Sequence, residues 1–422
     1  MRRLYTALWC VALPLVLLRL WWRGRKEPGY RQHWRERLGF YGARGASTHT
    51  LWVHAVSVGE TRAAEPLIDA LLQAYPDSRI VLTHMTPTGR ATGQALFAKH
   101  GARLVQAYLP YDLPFMVRRF IAHFSPRICI LIETEVWPNL IAACGERVPV
   151  ALVNARLSER SLRRGRRFGA LMSDAARGLA LVAAQTDADA ARVRSLGAPR
   201  VEVTGSIKFD VAVPPAALAT GAWLREKIGA RSVLLCASTR GGEEALILDA
   251  CAALWDLPGN VLLVVVPRHP QRFDEVAAMV AGRDLALQRR SQLDELGVAS
   301  ATRVLLGDSM GEMFAYYGAC DVAFIGGSLL PLGGQNLIEA CALGKPVLIG
   351  PHTFNFALVT EEAIAAGAAL CVEGSLELVS NAVKLLVDDA LRSRMGGQAL
   401  RFAEHHKGAT ARTVGLLRHM IF

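Results

Sequence analysis

The sequence predicts an α/β protein with two doubly wound domains and an N-terminal membrane-anchor helix, on three observations. The chain has 422 residues, which is too long for one ordinary hydrophobic core. Short apolar runs alternate with helical patterns along most of its length, and this alternation is typical of a parallel sheet covered by helices on both faces. One longer apolar segment stands at the start of the chain.

The apolar segment from Leu4 to Trp22 contains only Thr6 and Arg19 as polar residues and is close to the ~20 residues that cross a bilayer. No small residues suited to signal-peptide cleavage follow it. Its end carries the aromatic and basic residues of a membrane interface, namely Trp21, Trp22, Arg23, Arg25 and Lys26. We therefore expect residues 1–24 to anchor the chain, with the remainder in the cytoplasm. Pro14 and Arg19 leave open whether the helix spans the membrane or lies in its interface.

Residues 25–208 are predicted to form the first domain. A helix between its first two strands has apolar residues at 3.6-residue spacing, from Ala64 to Leu72. The predicted strands are Leu51–Val56, Arg79–Thr83, Leu104–Tyr108, Ile128–Ile132, Val148–Val153, Leu179–Ala183 and Val201–Thr204. Ligands of such domains bind beyond the carboxyl ends of the strands.

Residues 209–220 contain two adjacent prolines without a clear period and are predicted to be a linker. Residues 221–422 are then the second domain. Its predicted strands are Ser232–Ala237, Val261–Val266, Arg303–Leu306, Asp321–Ile325, Pro346–Ile349 and a short one near Ala369–Val372.

Polar residues collect where the predicted strands end. Glu60 follows the first strand, Glu133 and Glu135 follow the fourth, and Lys208 follows the last strand of the first domain. Glu60 alone could be a carboxylate that the helix dipole favours in a first turn. Several polar groups at one sheet edge favour a functional cleft instead.

The stretch from Gly326 to Pro351 predicts a strand, a glycine-rich turn and a helix over Gln335–Ala342. Such a turn holds an anion through backbone N–H groups, and Gly333 and Gly334 would let the backbone approach a ligand closely. A turn required only for packing is an equal alternative. Arg240 and Arg268, at other strand ends, are candidate phosphate ligands because a guanidinium binds phosphate with two hydrogen bonds.

Composition narrows the class of function. The net charge of +11 indicates acidic partners, but no nucleic-acid-binding motif is present. The 8 cysteines form no CxxC pair, which favours buried thiols in a reducing compartment. The P-loop, GxGxxG and HExxH motifs are missing. Asp187 and Asp189 form a DxD pair that some glycosyltransferases use for a metal, but its position at a helix start favours capping.

The chain resembles the 3-deoxy-D-manno-octulosonic acid (Kdo) transferases of Gram-negative lipopolysaccharide assembly over nearly its whole length. The motifs that carry the resemblance are His54–Glu60 (HAVSVGE), Met85–Gly89 (MTPTG), Glu133–Asn139 (ETEVWPN), Pro267–Pro270 (PRHP) and Gly333–Ala340 (GGQNLIEA). Ser206 is a slight departure, because relatives often have Asn there. The resemblance implies the GT-B glycosyltransferase fold, in which two Rossmann-like domains face each other across a cleft.

The resemblance also implies a reaction: transfer of Kdo from CMP-Kdo to a tetraacyl lipid A precursor at the cytoplasmic face of the inner membrane. By the match, Glu60 is the general base, and Glu133 and Lys208 stabilise the transition state. The matching donor-binding residues are Arg268, His269, Ser309, Met310, Gly311, Gln335, Asn336, Leu337, Ile338 and Glu339. No metal is expected, since basic groups can offset the charge on the departing CMP. The alternatives are another membrane-associated nucleotide-sugar transferase, a related UDP-sugar 2-epimerase, and a non-catalytic nucleotide-binding membrane protein.

Overall fold

The computed structural model describes residues 1–42, 49–145, 147–166, 168–210 and 213–421. The chain divides into two compact units. The first unit comprises Met1–Val211 together with His406–Phe422, and the second unit comprises Ala212–His405.

The first unit has a parallel sheet that contains seven strands among its described residues. The strands are β1 Thr50–His54, β2 Arg79–His84, β3 Leu104–Tyr108, β4 Pro126–Ile132, β5 Val150–Ala155, β6 Leu181–Ala184 and β7 Val201–Val203. The helices are α1 Arg2–Arg23, α2 Trp34–Arg37, α3 Val58–Ala63, α4 Glu65–Ala74, α5 Pro87–Phe97, α6 Pro114–Phe124, α7 Pro138–Cys144, α8 Glu159–Arg166, α9 Gly169–Arg177 and α10 Asp187–Ser195. The strand order is β3-β2-β1-β4-β5-β6-β7, so the order reverses between β1 and β4.

The second unit repeats this design, again with seven parallel strands in the part that the structure describes. The strands are β8 Val233–Thr239, β9 Leu262–Pro267, β10 Leu287–Arg289, β11 Val304–Leu306, β12 Val322–Ile325, β13 Val347–Ile349 and β14 Ala369–Cys371. The helices are α11 Pro215–Ile228, α12 Glu243–Ala250, α13 Ala252–Trp255, α14 Phe273–Ala281, α15 Met313–Ala319, α16 Ile338–Ala342, α17 Ala357–Ala365, α18 Ser375–Val387 and α19 Asp389–His405. The order is β10-β11-β9-β8-β12-β13-β14, with the reversal between β8 and β12.

These two sheets confirm the predicted class of two doubly wound α/β units. Every predicted strand has its counterpart within a few residues. The sequence missed β10, because Leu287–Arg289 is short and has only one apolar side chain. Part of the predicted linker is helical: Pro215 starts α11, as proline commonly does at the first position of a helix, so residues 215–220 belong to that helix.

The predicted end of the second domain differs from the observed unit. The last helix, α20 Ala409–Ile421, belongs to the first unit. Leu417 and Ile421 are buried in the first unit's core, together with residues of β1, β2 and β4. The Asp210 carboxylate accepts the backbone N–H groups of Gly408 and Thr410, each at 2.5 Å, and so caps the start of α20.

The N-terminal helix α1 is long and apolar enough to cross a membrane by length and composition. One of its faces packs on the first unit. The Tyr5 hydroxyl donates to Asp112 at 3.0 Å, and the Trp9 and Tyr111 rings lie 5.7 Å apart. Asp112 also accepts the backbone N–H groups of Asn139 and Leu140, so one buried carboxylate joins α1 to the start of α7.

Candidate functional site

Glu60 lies in the first turn of α3, directly beyond the carboxyl end of β1. Ser57 is the N-cap of this helix: its Oγ accepts the N–H of Glu60 at 3.4 Å and donates to Glu60 Oε1 at 3.0 Å. The other oxygen, Oε2, accepts the N–H of Val56 at 2.8 Å. This reciprocal arrangement is close to a capping box and fixes the carboxylate in one position.

Burial first, and then the negative charges of Glu135 and Glu133, raise the pKa of Glu60, while the hydrogen bonds from Val56 and Ser57 lower it; the net result is a pKa of about 7. Burial also raises the pKa of Glu135, whose Oε2 accepts Trp137 Nε1–H at 2.8 Å. These carboxylates share one edge because β1 and β4 are neighbours at the reversal of strand order. A carboxyl group with a pKa near neutrality can take up and release protons at physiological pH.

The Met85–Gly89 motif supports the turn that holds Glu60. Thr86 Oγ1 donates to the carbonyl of Val56 at 3.2 Å and accepts the N–H of Gly89 at 3.1 Å, which caps α5. A Cβ on Gly89 would lie 3.2 Å from the Val56 carbonyl oxygen and 2.9 Å from Thr86 Oγ1. Gly89 therefore permits the close approach of two motifs that are far apart in sequence.

Gly59 has no such packing requirement. A Cβ on this glycine would meet only Ser57 Oγ, at 3.9 Å, and the residue is exposed. The missing side chain leaves open space beside Glu60.

Glu133 and Lys208 form an ion pair, with Lys208 Nζ 2.7 Å from Glu133 Oε1. Glu133 follows β4 with a positive φ of 64°, a backbone strain typical of functional sites. Asn154, also at a positive φ, supports Lys208: its Oδ1 accepts the N–H of Ile207 at 3.2 Å. This supporting role of Asn154 is not predictable from local sequence, because its contact with Ile207 depends on which strand ends lie side by side.

Asp189, the second residue of the DxD pair, takes part in the helix cap that its position predicted, with Thr186 as the N-cap residue. Thr186 Oγ1 accepts the N–H of Asp189 at 3.1 Å and donates to its Oδ2 at 2.7 Å. Asp189 Oδ1 accepts the N–H of Leu157 at 2.9 Å. The Asp189 carboxylate is thus used within the fold.

In the second unit, basic groups gather beyond β8 and β9. Burial lowers the pKa of His269, and the positive charges of Arg240, Arg268 and Arg272 lower it as well, because these three arginines lie close to His269. Arg272 is held by Glu244 through two hydrogen bonds of 2.8 and 2.9 Å.

The glycine stretch joins this basic group through Gly327. A Cβ on Gly327 would lie 3.2 Å from Gln335 Nε2 and 3.5 Å from Arg240 Cγ. The structure thus brings Gln335 beside Arg240.

The predicted anion-binding role of the first glycine turn is wrong in one respect. The N–H groups of Gly327, Ser328 and Leu329 donate to the carboxylate of Glu243 at 2.6, 2.9 and 3.0 Å, and that of Arg240 donates at 2.9 Å. Glu243 is buried at the start of α12. An internal carboxylate therefore occupies the place of an anion, and no local sequence pattern pairs Glu243 with this distant turn.

The second glycine pair serves packing. Gly333 and Gly334 have φ of 97° and 74°, and a Cβ on either would press on residues 353–355. The helix begins at Ile338 instead of Gln335, because Asn336 folds back locally: its Oδ1 accepts the N–H of Ile338 at 3.1 Å. Asn336 Nδ2 also donates to Glu339 Oε1 at 3.2 Å, so these two residues are in contact although they share no helix face.

The remaining candidate donor-binding residues differ in accessibility. The side chains of Leu337 and Ile338 are buried, which leaves only their backbone for any ligand. Met310 is exposed, and Gly311 at a φ of 83° has open space around it. The hydroxyl of Ser309 bonds to Glu312 and to the Tyr316 hydroxyl, at 2.5 and 2.6 Å.

Both units match known protein families. Residues 32–211 match the model described as 3-deoxy-D-manno-octulosonic-acid transferase (kdotransferase), and residues 259–402 match glycosyl transferases group 1. A 3-deoxy-D-manno-octulosonic acid transferase of Bordetella pertussis is 47% identical over 428 residues, covering 99% of this chain and 98% of the relative. The chain belongs to the 3-deoxy-D-manno-octulosonic acid (Kdo) transferase family. It is therefore a glycosyltransferase.

A second relative supports the same family. The 3-deoxy-D-manno-octulosonic acid transferase of Haemophilus influenzae is 38% identical, and the match covers 99% of this chain and 98% of the relative.

Solved structures with a similar fold include more distant proteins. The UDP-GlcNAc 2-epimerase of Neisseria meningitidis, solved with UDP-GlcNAc, aligns with a TM-score of 0.58 and 16% identity over 88% of this chain and 100% of that chain. A glycosyltransferase from Rickettsia africae aligns with a TM-score of 0.58 and 13% identity over 89% of this chain and 99% of that chain. At these identities the structural likeness shows the fold alone, and that fold is of the predicted GT-B type.

Proposed function

We propose that this Kdo transferase moves Kdo from CMP-Kdo to a tetraacyldisaccharide 1,4'-bisphosphate lipid A precursor, with Glu60 as the general base. The observation that carries the proposal is the position and pKa of Glu60. A half-buried carboxyl group with a pKa of about 7 is held rigidly at the reversal of strand order, where ligands of doubly wound sheets bind.

In this mechanism the acceptor sugar hydroxyl attacks the anomeric carbon of Kdo and loses its proton to Glu60. The bond between that carbon and the phosphate oxygen of CMP breaks, and CMP departs with the bonding electrons. Lys208 supplies positive charge for the CMP phosphate or the Kdo carboxylate, and Glu133 stabilises the cationic character of the anomeric centre. The open space beside Gly59 admits the acceptor hydroxyl to Glu60.

We assign donor binding to the second unit. Arg240, Arg268 and His269 form a basic group suited to the single phosphate of CMP, and Gln335 lies beside Arg240. Asn336 and Glu339 are placed to bind ribose hydroxyls, while Leu337 and Ile338 contribute backbone only. The Ser309–Gly311 segment, in which Met310 and Gly311 are exposed, completes the proposed contacts. Basic groups balance the phosphate charge in this scheme, so we expect EDTA to leave transfer unchanged.

The acceptor lipid would be reached at the cytoplasmic face of the inner membrane, to which α1 holds the enzyme. Two features support this membrane attachment: the apolar composition of α1 and the basic residues at both of its ends. An enzyme that acts on a membrane lipid gains from such an anchor, because its acceptor is confined to the surface.

The decisive experiment combines CMP-Kdo with the tetraacyl lipid A precursor and follows the product by mass spectrometry, for the wild type and for Glu60→Ala. We expect the wild type to add Kdo, in a number that the mass reveals. The variant should bind CMP with unchanged affinity and transfer at least ~10²-fold more slowly.

A matched control is Glu65→Ala, which removes a first-turn carboxylate of similar burial class from the neighbouring helix α4, where it pairs with Lys99. It should keep full activity. Transfer by Glu60→Ala at the wild-type rate would refute the assignment of the base, and a wild-type enzyme without transfer from CMP-Kdo would refute the proposed reaction.

A further inference from the structure

The helix α1 is apolar around its whole circumference, yet its two faces have different surroundings. Its less exposed residues recur at helical spacing along nearly its full length: Tyr5, Thr6, Trp9, Ala12, Leu13, Val16, Leu17 and Leu20. This stripe packs on the first unit, where Tyr111, Leu113 and Met116 are buried beneath it. The contact is therefore not confined to the end of the helix from which a spanning anchor would emerge.

The opposite face is exposed and apolar. Its principal residues, which are 57% to 75% exposed, are Leu4, Leu8, Val11, Leu15, Leu18 and Trp22. An apolar patch of this length on a soluble surface indicates an interaction site.

The charges at the edges of this face fit a lipid surface. Arg2 and Arg3 precede the exposed stripe, and Arg19 is the only charged residue within it. At the other end, the guanidinium groups of Arg25 and Arg31 lie 4.9 and 5.1 Å from the ring centre of the half-exposed Trp21. Interfacial tryptophan with neighbouring arginine is typical of a helix at the level of anionic headgroups.

We propose that α1 is a monotopic helix that lies in the plane of an anionic bilayer, docked along its length on the first unit, and does not span the membrane. Docking covers one apolar face with protein, and the bilayer covers the other. A helix that is apolar on all faces is thus shielded from water on every side without crossing the bilayer. The inference rests on the membrane attachment in the proposed function and specifies its geometry.

If α1 spanned the membrane, it would have to detach from the first unit. Tyr5 and Thr6, near the N-terminus of the helix, donate to Asp112 and Asn139 of the globular part at 3.0 and 3.1 Å. If α1 crossed the bilayer, these residues would lie on the far side from Asp112. The buried carboxylate would lose its Tyr5 partner, and Tyr111, Leu113 and Met116 would be uncovered.

The test is the side of the membrane on which the N-terminus lies. Arg3→Cys is introduced together with Cys10→Ala, and the partly exposed Cys371 reports the body. The full chain is expressed in a Gram-negative host, and a membrane-impermeant maleimide is added to inside-out vesicles and to spheroplasts. Peptide mass spectrometry assigns each label. We expect both cysteines to be labelled in inside-out vesicles and neither in spheroplasts; labelling of the N-terminal cysteine only in spheroplasts would overturn the proposal.

Transfer activity in the same membranes separates this inference from the proposed function. Labelling from opposite sides with transfer intact overturns the in-plane helix alone. Loss of transfer with the expected labelling overturns the proposed reaction and leaves the helix geometry standing.

A second arm compares the two faces. Leu8→Gln with Leu15→Gln should lower binding to vesicles of phosphatidylethanolamine and phosphatidylglycerol by at least ~10-fold without changing the melting temperature. Leu13→Gln with Leu17→Gln should lower the melting temperature in detergent, because these side chains pack on the first unit. An unchanged melting temperature for the inner pair would overturn docking. Unchanged vesicle binding for the outer pair would overturn the lipid as occupant.

Discussion

Lys208 Nζ lies 2.7 Å from Oε1 of Glu133, although one residue follows the edge strand β7 and the other follows the central strand β4. The pair is held from both sides: Glu133 by the strained turn after β4, and Lys208 by the turn that Asn154 supports. Under the proposed mechanism the two side chains act as a unit.

We therefore expect Lys208→Met and Glu133→Gln each to lower kcat by about 10²-fold, and the double variant to cost little more than either. Steady-state kinetics of the four enzymes check this. Lys99→Met is a matched control, because Lys99 makes an equally short ion pair with Asp69 on the surface of the same unit. Losses that simply add would show that the residues act independently.

The pKa of Glu60 predicts the pH dependence of transfer. Since the carboxylate is the active form, kcat/KM should rise with pH through about 7 and then level off. Glu60→Gln should be slow at every pH and lack this limb. The range to measure spans about three pH units centred on this pKa, from about 5.5 to about 8.5. A wild-type kcat/KM that stays constant over this range would contradict the role of Glu60.

The same raised pKa predicts an effect on stability. Between the ordinary pKa of a glutamate and about 7, the folded protein keeps a proton on Glu60 that the unfolded chain releases, so the free energy of unfolding falls as pH rises through this window. Glu60→Gln removes the effect. The melting temperature of the variant minus that of the wild type should therefore increase between about pH 5 and about pH 8, which are roughly the limits of that window. A constant difference would show that Glu60 titrates normally.

Gly59→Ala separates folding from acceptor access. The added Cβ meets nothing closer than Ser57 Oγ at 3.9 Å, and alanine favours a helix over glycine by about 1 kcal/mol, so the melting temperature should not fall. The methyl group fills the space beside Glu60, and we expect the KM for the lipid acceptor to rise or kcat to fall by at least ~10-fold. Unchanged kinetics would show that the acceptor does not approach past Gly59.

Glu243→Ala should destabilise the second unit. It leaves four backbone N–H groups, three of them buried, without their acceptor, for which we expect a loss of at least about 3 kcal/mol in the free energy of unfolding and a loss of CMP binding. Glu226→Ala, at an exposed position of α11, should change neither. Chemical denaturation followed by CMP titration measures both. A stable Glu243→Ala enzyme would show that water replaces the carboxylate.

Leu417→Ala tests whether α20 completes the first unit. Its fully buried side chain packs in the core around β1, and its truncation should cost about 2–5 kcal/mol. Arg418→Ala, on the exposed face of the same helix, should be neutral. Equal stability of the two variants would show that α20 is dispensable.

The strands and the positions of Glu60, Glu133 and Lys208 could be predicted because they depend on local patterns. A parallel strand buried on both faces is a continuous apolar run, and polar residues at its end mark the ligand edge of the sheet. Such patterns extend over fewer than about ten residues, which is the length of one strand and its following turn.

The rest depends on contacts between distant segments. No residue near Gly327 in sequence indicates that Glu243 will accept a hydrogen bond from the Gly327 N–H group. Likewise, no residue near Ile421 indicates that Ile421 will pack in the core with β1. The start of α16 was mispredicted for a different reason: Asn336 competes for the N–H of Ile338, and this local bond prevails over the helical pattern.

The return of α20 to the first unit also has a consequence for biosynthesis. Domains at the N-terminus usually finish folding while the ribosome is still making the rest of the chain. Here the core around β1 is completed by Leu417 and Ile421, which follow the whole second unit in the chain. The first unit therefore begins folding before the second and is completed only after it, so a premature stop codon between His406 and Ala409 would leave a chain whose second unit is whole and whose first-unit core is open.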